Sequence, residues 1–468
     1  KQYAALMVLS QIVEIMSVSR IAVVVDLCEG FLSSDGADPR SIYAAINVYG
    51  MLGVVEKHVG KFQANNHQRV IPSLLRCLAH QSSRVQSHAA AAIINFAEQC
   101  EEETMSAYVS PLMNALFERL QNGTRVVQEQ AVTAIASISE CAKEHFQQYY
   151  SSLMPVLMQA LLGSNAKADR MFRAKTLECA TIIGMAVGKE RFRPDALRLM
   201  EITTSTEGGM QSLEPDDPLR EYILQAWARM SHVLGADIMP FMHVIMSYLL
   251  AAASMTVEEV MTEEQLRAEA ENAEFDGQDG SGEGDEDTIT LVVEDAAPQG
   301  QVSERVVRIR TVALEEKTNA IRMIANFAQS LRGGFLPYVN QVFPILQGSV
   351  FFEQSIHDDL RGFSLASLPD MMLCVVAGGQ REDVLKIFGA CMTLLLQSVQ
   401  TEPDKDVLRS TVAALKKCIE GASRAHGVIE GEVYAQTCLS EQNMVQITRA
   451  LMKLMQDSLQ RRAIAYAE

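Results

Sequence analysis

A pair of amphipathic helices recurs along most of this chain. Apolar residues return at i, i+3, i+4 and i+7, the spacing that places them on one face of an α-helix. The segments HQRVIPSLLRCLAH and RVQSHAAAAIINFAEQC form one such pair, and Ser82 or Ser83 between them is placed to begin the second helix. In that helix Val85, Ala89 and Phe96 belong to one apolar stripe. YVSPLMNALFERL and VVQEQAVTAIASISECAKE form the next pair, and further pairs follow.

The pairs return at a nearly constant spacing. When the second helices are aligned, Val85, Val127, Phe172 and Leu219 share one position, which gives the period of about 40–47 residues known for HEAT and armadillo repeats. A single pair cannot bury its apolar stripe, so neighbouring pairs must stack. The sequence therefore predicts an all-α fold, a HEAT-repeat right-handed superhelical solenoid of about nine or ten helix pairs, without any β-sheet of three or more strands.

One acidic segment interrupts the periodic pattern. From Glu258 to Asp287 about a dozen acidic residues accompany a single base, Arg267, a composition typical of solvated chain without fixed structure. The β-branched stretch TITLVVED follows and is expected to form a short strand or an extended clip. We therefore expect HEAT repeats over 1–255, an acidic flexible insertion within one repeat over 256–311, and HEAT repeats again over 312–468.

Charge and cysteine usage narrow the possible partners and compartment. The net charge of −18 argues against direct nucleic-acid binding, because phosphate recognition needs clustered Lys and Arg. Nine dispersed cysteines without a C-x-x-C pair indicate reduced core thiols and a cytosolic or nuclear protein. The chain opens inside a helix without Met or a signal peptide, so we expect a fragment of a longer protein. The longest apolar stretch, HVIMSYLLAAASM, is short and partly polar, and no membrane insertion is expected.

The sequence shows no catalytic pattern. GSGEG at 280–284 has glycine spacing but lies in an acidic segment that would repel phosphate. HDD at 357–359 has metal-binding residue types, but acids at a helix start favour capping and the helix dipole over a metal. We therefore expect no enzyme, no cofactor and no metal site, although a catalytic triad assembled from distant residues stays open.

The second helices carry the candidate binding residues. In a HEAT solenoid these helices line the concave side, and their positions outside the core are polar and acidic here. Amides suit a peptide backbone, carboxylates suit Lys and Arg, and an aromatic side chain suits an aliphatic or cationic one. The face therefore predicts binding of an extended basic segment, against the alternative of a solvated face with Trp227 in the core. The candidates are Asn95, Glu98, Ser137, Glu140, Glu178, Tyr222, Gln225 and Trp227, with Glu102, Glu144, Asn326 and Gln329 on the same face.

Five separated segments also resemble one protein family. RVQSHAAAAIINFAEQC, LECATIIGMAVGKERF, EPDDPLREYILQAWARM, LEEKTNAI and TEPDKDVLR, followed by KCIE, are similar, in order and spacing, to the middle of importin-5 (karyopherin-β3) type nuclear transport receptors in the importin-β superfamily. The likeness runs from about Val70 to Ala422 and is strongest between Arg84 and Trp227.

The resemblance implies a nuclear import receptor that shuttles between cytoplasm and nucleus. Such receptors bind basic nuclear-localisation-signal cargo, such as ribosomal proteins and histones, on the concave face of their central repeats. They release that cargo to Ran-GTP and contact nucleoporin FG repeats, and their main Ran contact lies in N-terminal repeats that we expect to be absent here. The alternative is a HEAT-repeat scaffold that assembles a fixed multiprotein complex, and a third class, a hydrolase with HEAT-like repeats, would need a further catalytic domain.

Overall fold

The computed structural model describes most of the chain. It covers residues 2–34, 36–163, 166–206, 209–214, 217–260, 288–296, 302–351, 357–379, 381–425, 438 and 440–465. These residues divide into two compact units, Lys1–Leu234 and Gly235–Glu468.

The first unit consists of helices joined by short turns. Its α-helices are α1 Gln2–Ile12, α2 Ile21–Leu32, α3 Pro39–Val54, α4 Glu56–Leu78, α5 Ser83–Ala97, α6 Glu102–Ser106, α7 Val109–Asn122, α8 Arg125–Ala142, α9 Tyr150–Gly163, α10 Arg170–Val187, α11 Lys189–Thr204 and α12 Leu219–Leu234. Short 3-10 turns accompany them at Val13–Ile15, Val18–Arg20, Lys143–Tyr149, Lys167–Asp169 and Met210–Ser212.

These helices pack in two rows. The second helices of successive pairs contact one another in the order α1, α3, α5, α8, α10 and α12, and the first helices α2, α4 and α7 contact one another in turn. The aligned residues Val85, Val127, Phe172 and Leu219 are all buried, as the sequence pattern predicted. The rows arise because a single helix pair cannot bury its apolar stripe, so each second helix packs on the next.

The second unit contains helix pairs and a small sheet. Its α-helices are α13 Met242–Ala253, α14 Thr311–Leu331, α15 Leu336–Val350, α16 Asp358–Gly378, α17 Arg381–Thr401, α18 Lys405–Arg424 and α19 Glu441–Ala465, with 3-10 turns at Gly235–Phe241 and Arg332–Phe335. Again the second helices α14, α16 and α18 contact one another in order, as do the first helices α13, α15 and α17. In the described part of the chain we count eight complete pairs, α2–α3 to α17–α18, with single helices at both ends, slightly fewer than predicted.

The second unit also has a three-stranded antiparallel sheet, which corrects one prediction. The strands are β1 Glu258–Val260, β2 Thr288–Ala296 and β3 Val302–Arg310, in the order β1-β3-β2. The HEAT-repeat fold class is confirmed, but the expectation of no sheet with three or more strands is wrong. TITLVVED does form a strand, because β3 supplies the antiparallel partner that its β-branched residues need. The predicted lack of structure over 258–287 fails at Glu258–Val260, and 261–287 lie outside the described residues.

Close approach between second helices depends on glycine. Gly50 and Gly53 of α3 face Asn95 of α5, and a Cβ added at Gly53 would lie 3.1 Å from the Asn95 carbonyl oxygen. A side chain at this position would push the two helices apart, because such a contact is closer than normal packing allows. Small residues in these helices therefore set the spacing between repeats.

Charged side chains connect each repeat with the next. In the first unit Arg125 of α8 lies 2.5 Å from Asp169, and Arg170 of α10 lies 3.4 Å from Asp217. Both pairs join the start of one second helix to the segment just before or at the start of the next. Asp169, Arg170 and Asp217 are largely shielded from solvent, whereas Arg125 is exposed, so the Arg170–Asp217 pair is the better protected of the two.

A buried carboxylate connects three repeats in the second unit. Asp370 of α16 is completely buried, and its Oδ1 accepts from Lys417 Nζ at 2.8 Å and from Arg332 Nη1 at 3.2 Å. Its Oδ2 accepts from Gln329 Nε2 at 2.9 Å. We call Asp370 with Gln329, Arg332 and Lys417 the Asp370 cluster. Because its donors come from α14, the turn after α14 and α18, one side chain joins the flanking second helices to α16.

Three segments of the described chain are long and apolar enough to cross a membrane, judged by length and composition alone. They are Leu219–Ala253, Asp358–Gly378 and Arg381–Thr401. HVIMSYLLAAASM overlaps the end of the first of these segments, and the expectation of no membrane insertion stays a prediction. The other two, α16 and α17, pack against neighbouring second and first helices, so their apolar faces form the core between repeats.

Candidate functional site

Three glutamates from successive second helices form an acidic row in the first unit. Glu98 directly follows α5, Glu140 lies in the last turn of α8, and Glu178 lies within α10. Glu98 and Glu140 are exposed, while Glu178 is half-buried. Because α5, α8 and α10 pack side by side, the structure brings these three predicted residues together. We call Glu98, Glu140 and Glu178 the acidic row.

The pKa of the central carboxyl group of the acidic row, that of Glu140, is raised. Partial burial is the largest cause of the raised pKa of Glu140, and the neighbouring charges of Glu178 and Glu98 raise it further. Arg229 acts in the opposite direction and lowers the pKa of Glu140. Crowded carboxylates of this kind gain stability when a cation approaches, because the cation relieves their mutual repulsion.

Arg229 of α12 places an internal cation beside the acidic row, and the sequence analysis missed this residue. Its Nη2 lies 3.5 Å from Glu178 Oε1, with side chains that are 27% and 25% exposed. Its Nη1 also donates to Thr181 Oγ1 at 3.4 Å. The missed signal was the spacing on α12: Arg229 follows Tyr222 by two turns and Gln225 by one turn, so it lies on the same face of the helix.

Tyr222 and Gln225 lie on α12 next to this cation, as predicted for the binding face. Both are half-buried. Gln225 Nε2 donates to Glu221 Oε1 at 3.0 Å, and Gln225 Oε1 accepts from Arg229 Nη2 at 3.4 Å. Burial raises the pKa of the Tyr222 hydroxyl, and the charges of Glu178 and Glu221 add to this effect. Tyr222 therefore lies within the electrostatic influence of the acidic row as a neutral phenol.

Trp227 is the clearest correction to the predicted site. Its side chain is completely buried, and its Nε1 donates to Thr203 Oγ1 of α11 at 2.8 Å. Trp227 therefore belongs to the core between α11 and α12, where it cannot contact a partner. The sequence could not decide this, because Trp227 lies only two residues from Gln225 and the exact turn of the helix determines which of them faces the core.

Asn95 and Ser137 make contacts within the protein. Asn95 is half-buried, and its Nδ2 donates to the Gly50 carbonyl oxygen of α3 at 3.2 Å. One donor of Asn95 thus links two repeats, which corrects the view that this side chain lies outside the packing between helices. Ser137 Oγ donates to the Thr133 carbonyl oxygen at 3.4 Å within α8. Whether either residue also contacts a partner stays a prediction.

The remaining predicted positions have mixed environments. Glu102 lies 3.4 Å from Lys143 Nζ and 3.6 Å from His145 Nδ1, so it connects the turns that follow α5 and α8. Glu144 is exposed. In the second unit Gln329 belongs to the Asp370 cluster, and Asn326 is half-buried on α14.

The expected capping at HDD is confirmed. His357 is the N-cap of α16, and its Nδ1 accepts from the Leu360 amide at 3.3 Å. Asp358 lies 2.6 Å from Arg361 Nη2 in the first turn. Among the described residues no group of three or more His, Cys, Asp or Glu side chains is arranged to hold a metal ion. GSGEG at 280–284 lies outside the described residues.

Stacked helix pairs with an acidic row on their second helices define a HEAT-repeat binding protein. Residues 6–206 match the profile of the family described as importin subunit beta-1-like, TPR repeats. Over 98% of this chain and 39% of the relative, the sequence is 30% identical to importin subunit beta-3 of Saccharomyces cerevisiae. The resemblance of this chain to the importin-β family is thereby confirmed. The relatives that it matches are of the importin β-3 and importin-5 type.

Solved structures agree with this assignment. The crystal structure of Kap121p is similar at a TM-score of 0.79 and 28% identity, over 98% of this chain and 40% of that chain. Kap121p bound to the extreme C-terminus of the protein phosphatase Cdc14p matches at a TM-score of 0.78 and 29% identity, over 99% and 41% of the two chains. Kap121p bound to Nup53p matches at a TM-score of 0.77 and 29% identity, over 99% of this chain and 40% of that chain. The present chain thus spans about two fifths of these relatives.

Proposed function

We propose that this chain is the cargo-binding part of a nuclear import receptor. Its acidic row would bind the Lys and Arg side chains of a nuclear localisation signal in extended conformation. The cargo class is basic proteins such as ribosomal proteins and histones. The whole protein would shuttle between cytoplasm and nucleus, contact nucleoporin FG repeats and release its cargo to Ran-GTP.

The single observation that supports this proposal most is the convergence of Glu98, Glu140 and Glu178. Successive second helices present one carboxylate each, so an extended chain that crosses the helices meets a negative charge at each repeat. Charge-assisted hydrogen bonds to such carboxylates contribute more than neutral ones. The complex of Kap121p with a C-terminal segment of Cdc14p shows that a structurally similar receptor binds a short piece of its partner.

Within the acidic row, the place that best fits a lysine ammonium is between Glu98 and Glu140. Both carboxylates are exposed, whereas Glu178 is already paired with Arg229 at 3.5 Å. Burial is the main cause of the raised pKa of Glu140, repulsion from Glu178 and Glu98 adds to it, and a bound cation would offset that repulsion. The first cargo cation is therefore expected at the Glu98 end of the row.

A groove between first helices supports the proposed nucleoporin contact. Met154, Pro155, Met158 and Leu162 of α9 line it together with Arg198 of α11. Leu162 is 56% exposed, and methionine side chains adapt easily to an inserted aromatic ring. The complex of Kap121p with Nup53p shows a nucleoporin partner for a similar protein. The groove is a candidate for phenylalanine side chains of FG repeats.

The test is the affinity of the chain for a labelled Lys-rich peptide. Glu98→Gln with Glu140→Gln removes two charges from the row, and the loss of charged hydrogen bonds should weaken binding by roughly 1–3 kcal/mol. Glu56→Gln with Glu190→Gln is the matched control, because both residues are exposed in first helices and the net charge changes equally. Equal losses in the two double variants would show a general charge effect and refute the assigned face.

Ran-GTP release requires the full-length protein. A complex with the Lys-rich peptide should dissociate on addition of Ran-GTP and persist with Ran-GDP. The alternative function, a HEAT scaffold with a fixed partner, predicts a complex that ignores the nucleotide state of Ran and survives high salt, since obligate interfaces are mainly apolar.

A further inference from the structure

Two thiols from consecutive repeats lie against each other in the first unit. Cys100 lies in the turn after α5, and Cys141 lies in the last turn of α8. Cys141 Sγ donates to the Cys100 carbonyl oxygen at 3.1 Å, and each of the two thiols shifts the pKa of the other. This pair could not be predicted from the sequence, because its members are 41 positions apart.

This pair differs from the other cysteines in exposure. Cys28, Cys77, Cys179, Cys374, Cys391, Cys418 and Cys438 are buried, whereas Cys100 and Cys141 are half-buried. The expectation of core thiols therefore holds for the other seven and is wrong for these two. A small solvent-borne oxidant can reach Cys100 and Cys141, and reactivity of cysteine depends on such access.

The surroundings hold the two turns together without the sulfur atoms. Glu102, two residues after Cys100, contacts Lys143, two residues after Cys141, at 3.4 Å. The short helix α6 also packs on α8. A covalent bond between the thiols would therefore join chain segments that are already adjacent.

We propose that Cys100 and Cys141 form an oxidisable dithiol site, which a hydroperoxide converts into an intramolecular disulfide that links two consecutive repeats. This proposal does not rest on the proposed cargo function. It is a modification site for a peroxide-class oxidant, on the same edge of the helices as Glu98 and Glu140.

The reaction balances with one hydroperoxide. The hydrogen bond from Cys100 lowers the pKa of Cys141, which favours Cys141 as the attacking thiolate, although burial opposes this effect. Cys141 Sγ attacks one peroxide oxygen, the O–O bond breaks, and the leaving oxygen takes a proton to become water or an alcohol. Cys100 Sγ then attacks the Cys141 sulfenic acid, the S–S bond forms, the S–O bond breaks, and water leaves with the Cys100 proton. Two thiols lose two electrons, and the peroxide gains them.

The experiment treats the chain with dilute hydrogen peroxide, blocks remaining thiols and maps peptides by mass spectrometry. We expect a linked peptide that contains Cys100 and Cys141 and that a dithiol reductant separates. The internal control is Cys391 with Cys418, a second hydrogen-bonded thiol pair whose members are both completely buried. That pair should react at least roughly tenfold more slowly, because access limits thiol oxidation.

Two variants assign the roles of the sulfurs. In Cys100→Ser the sulfenic acid of Cys141 has no resolving thiol and should be captured by a 1,3-dicarbonyl reagent, whereas Cys141→Ser should leave Cys100 reduced. Three results would overturn the proposal: separate oxidation of both residues to sulfinic acids without a linked peptide, no reaction of either residue, or equal linkage of Cys391 with Cys418. None of these results depends on the folding of a variant, because the parent chain supplies them.

Discussion

Replacement of Arg229 by Gln should strengthen the binding of a basic peptide. Arg229 is a cation fixed beside the carboxylates that the proposed cargo would use, so it competes with cargo for Glu178. Glutamine retains hydrogen-bonding capacity toward Thr181 and Gln225 and removes the charge. In the variant, Glu178 no longer pairs with Arg229 in the free protein, and its carboxylate can bind a cargo cation in the complex.

The magnitude follows from the geometry of the pair. Arg229 and Glu178 are separated by 3.5 Å and are about three-quarters shielded from solvent. Exposed ion pairs contribute about 0.2–1 kcal/mol, and partial burial places this one near the upper end. A cargo cation that no longer has to displace Arg229 should gain about 1 kcal/mol, which corresponds to roughly a fivefold lower Kd.

The assay is fluorescence anisotropy with a labelled Lys-rich peptide at low and physiological salt. Arg191→Gln is the matched control. Arg191 of α11 donates to the Gln147 carbonyl oxygen at 2.9 Å, in the turn before α9, and to Ser151 Oγ of α9 at 2.8 Å. Its replacement by Gln therefore removes the same charge, but among first helices and away from the acidic row. If Arg229→Gln binds no more tightly than Arg191→Gln, Arg229 does not compete with cargo and the reasoning is refuted.

Three further predictions follow from single side chains. Asp370→Asn should lower the free energy of unfolding by about 2–4 kcal/mol in urea titrations, because Lys417 and Arg332 lose a buried counterion, whereas Asp406→Asn at an exposed pair should change it by less than about 0.5 kcal/mol. Asn95→Ala should cost about 0.5–1.5 kcal/mol through loss of its bond to Gly50, partly offset by the better helix propensity of alanine, and an unaltered melting curve would contradict that role. Peptide affinity should fall on acidification from above the ordinary carboxyl range, because the raised pKa of Glu140, which faces Glu98, Glu178 and Arg229, means that its proton returns early. The folded state also binds this proton more tightly than the unfolded state, so protonation of Glu140 contributes stability that is fully present below the unfolded-state pKa and is lost as the pH rises through the raised folded-state pKa. Titration of Glu140→Gln should show neither effect.

Helical periodicity predicted the repeat architecture because it depends only on local apolar spacing. Val85, Val127, Phe172 and Leu219 could be aligned without knowledge of their neighbours, and all four are buried. The sheet was not predictable in the same way. The partner strand β3 lies beyond the acidic segment, and its pairing with β1 connects residues that are about fifty positions apart, such as Glu258 and Ile309.

The site was predicted in part because helix faces can be assigned only approximately. Glu98 and Glu140 were recognised because they share one repeat position relative to Val85 and Val127, whereas Glu178 lies about two turns earlier relative to Phe172 and was recognised from its acidic character on a second helix. Trp227 was assigned to the wrong face, since an error of one or two residues turns a helix position from solvent to core. Arg229 was overlooked because a search for acidic and amide side chains does not reveal a cation that neutralises them from the next helix.

The burial of Trp227 gives the chain a built-in optical probe. It is the single tryptophan of the sequence, and its indole is shielded from water and bonded to Thr203. Its emission should therefore report the integrity of one helix pair, while far-ultraviolet circular dichroism averages over every helix. Repeat arrays need not unfold in one step, since each repeat is stabilised mainly by its neighbours. The separation between the fluorescence and dichroism transitions would measure how far a local opening at α11 and α12 propagates along the array.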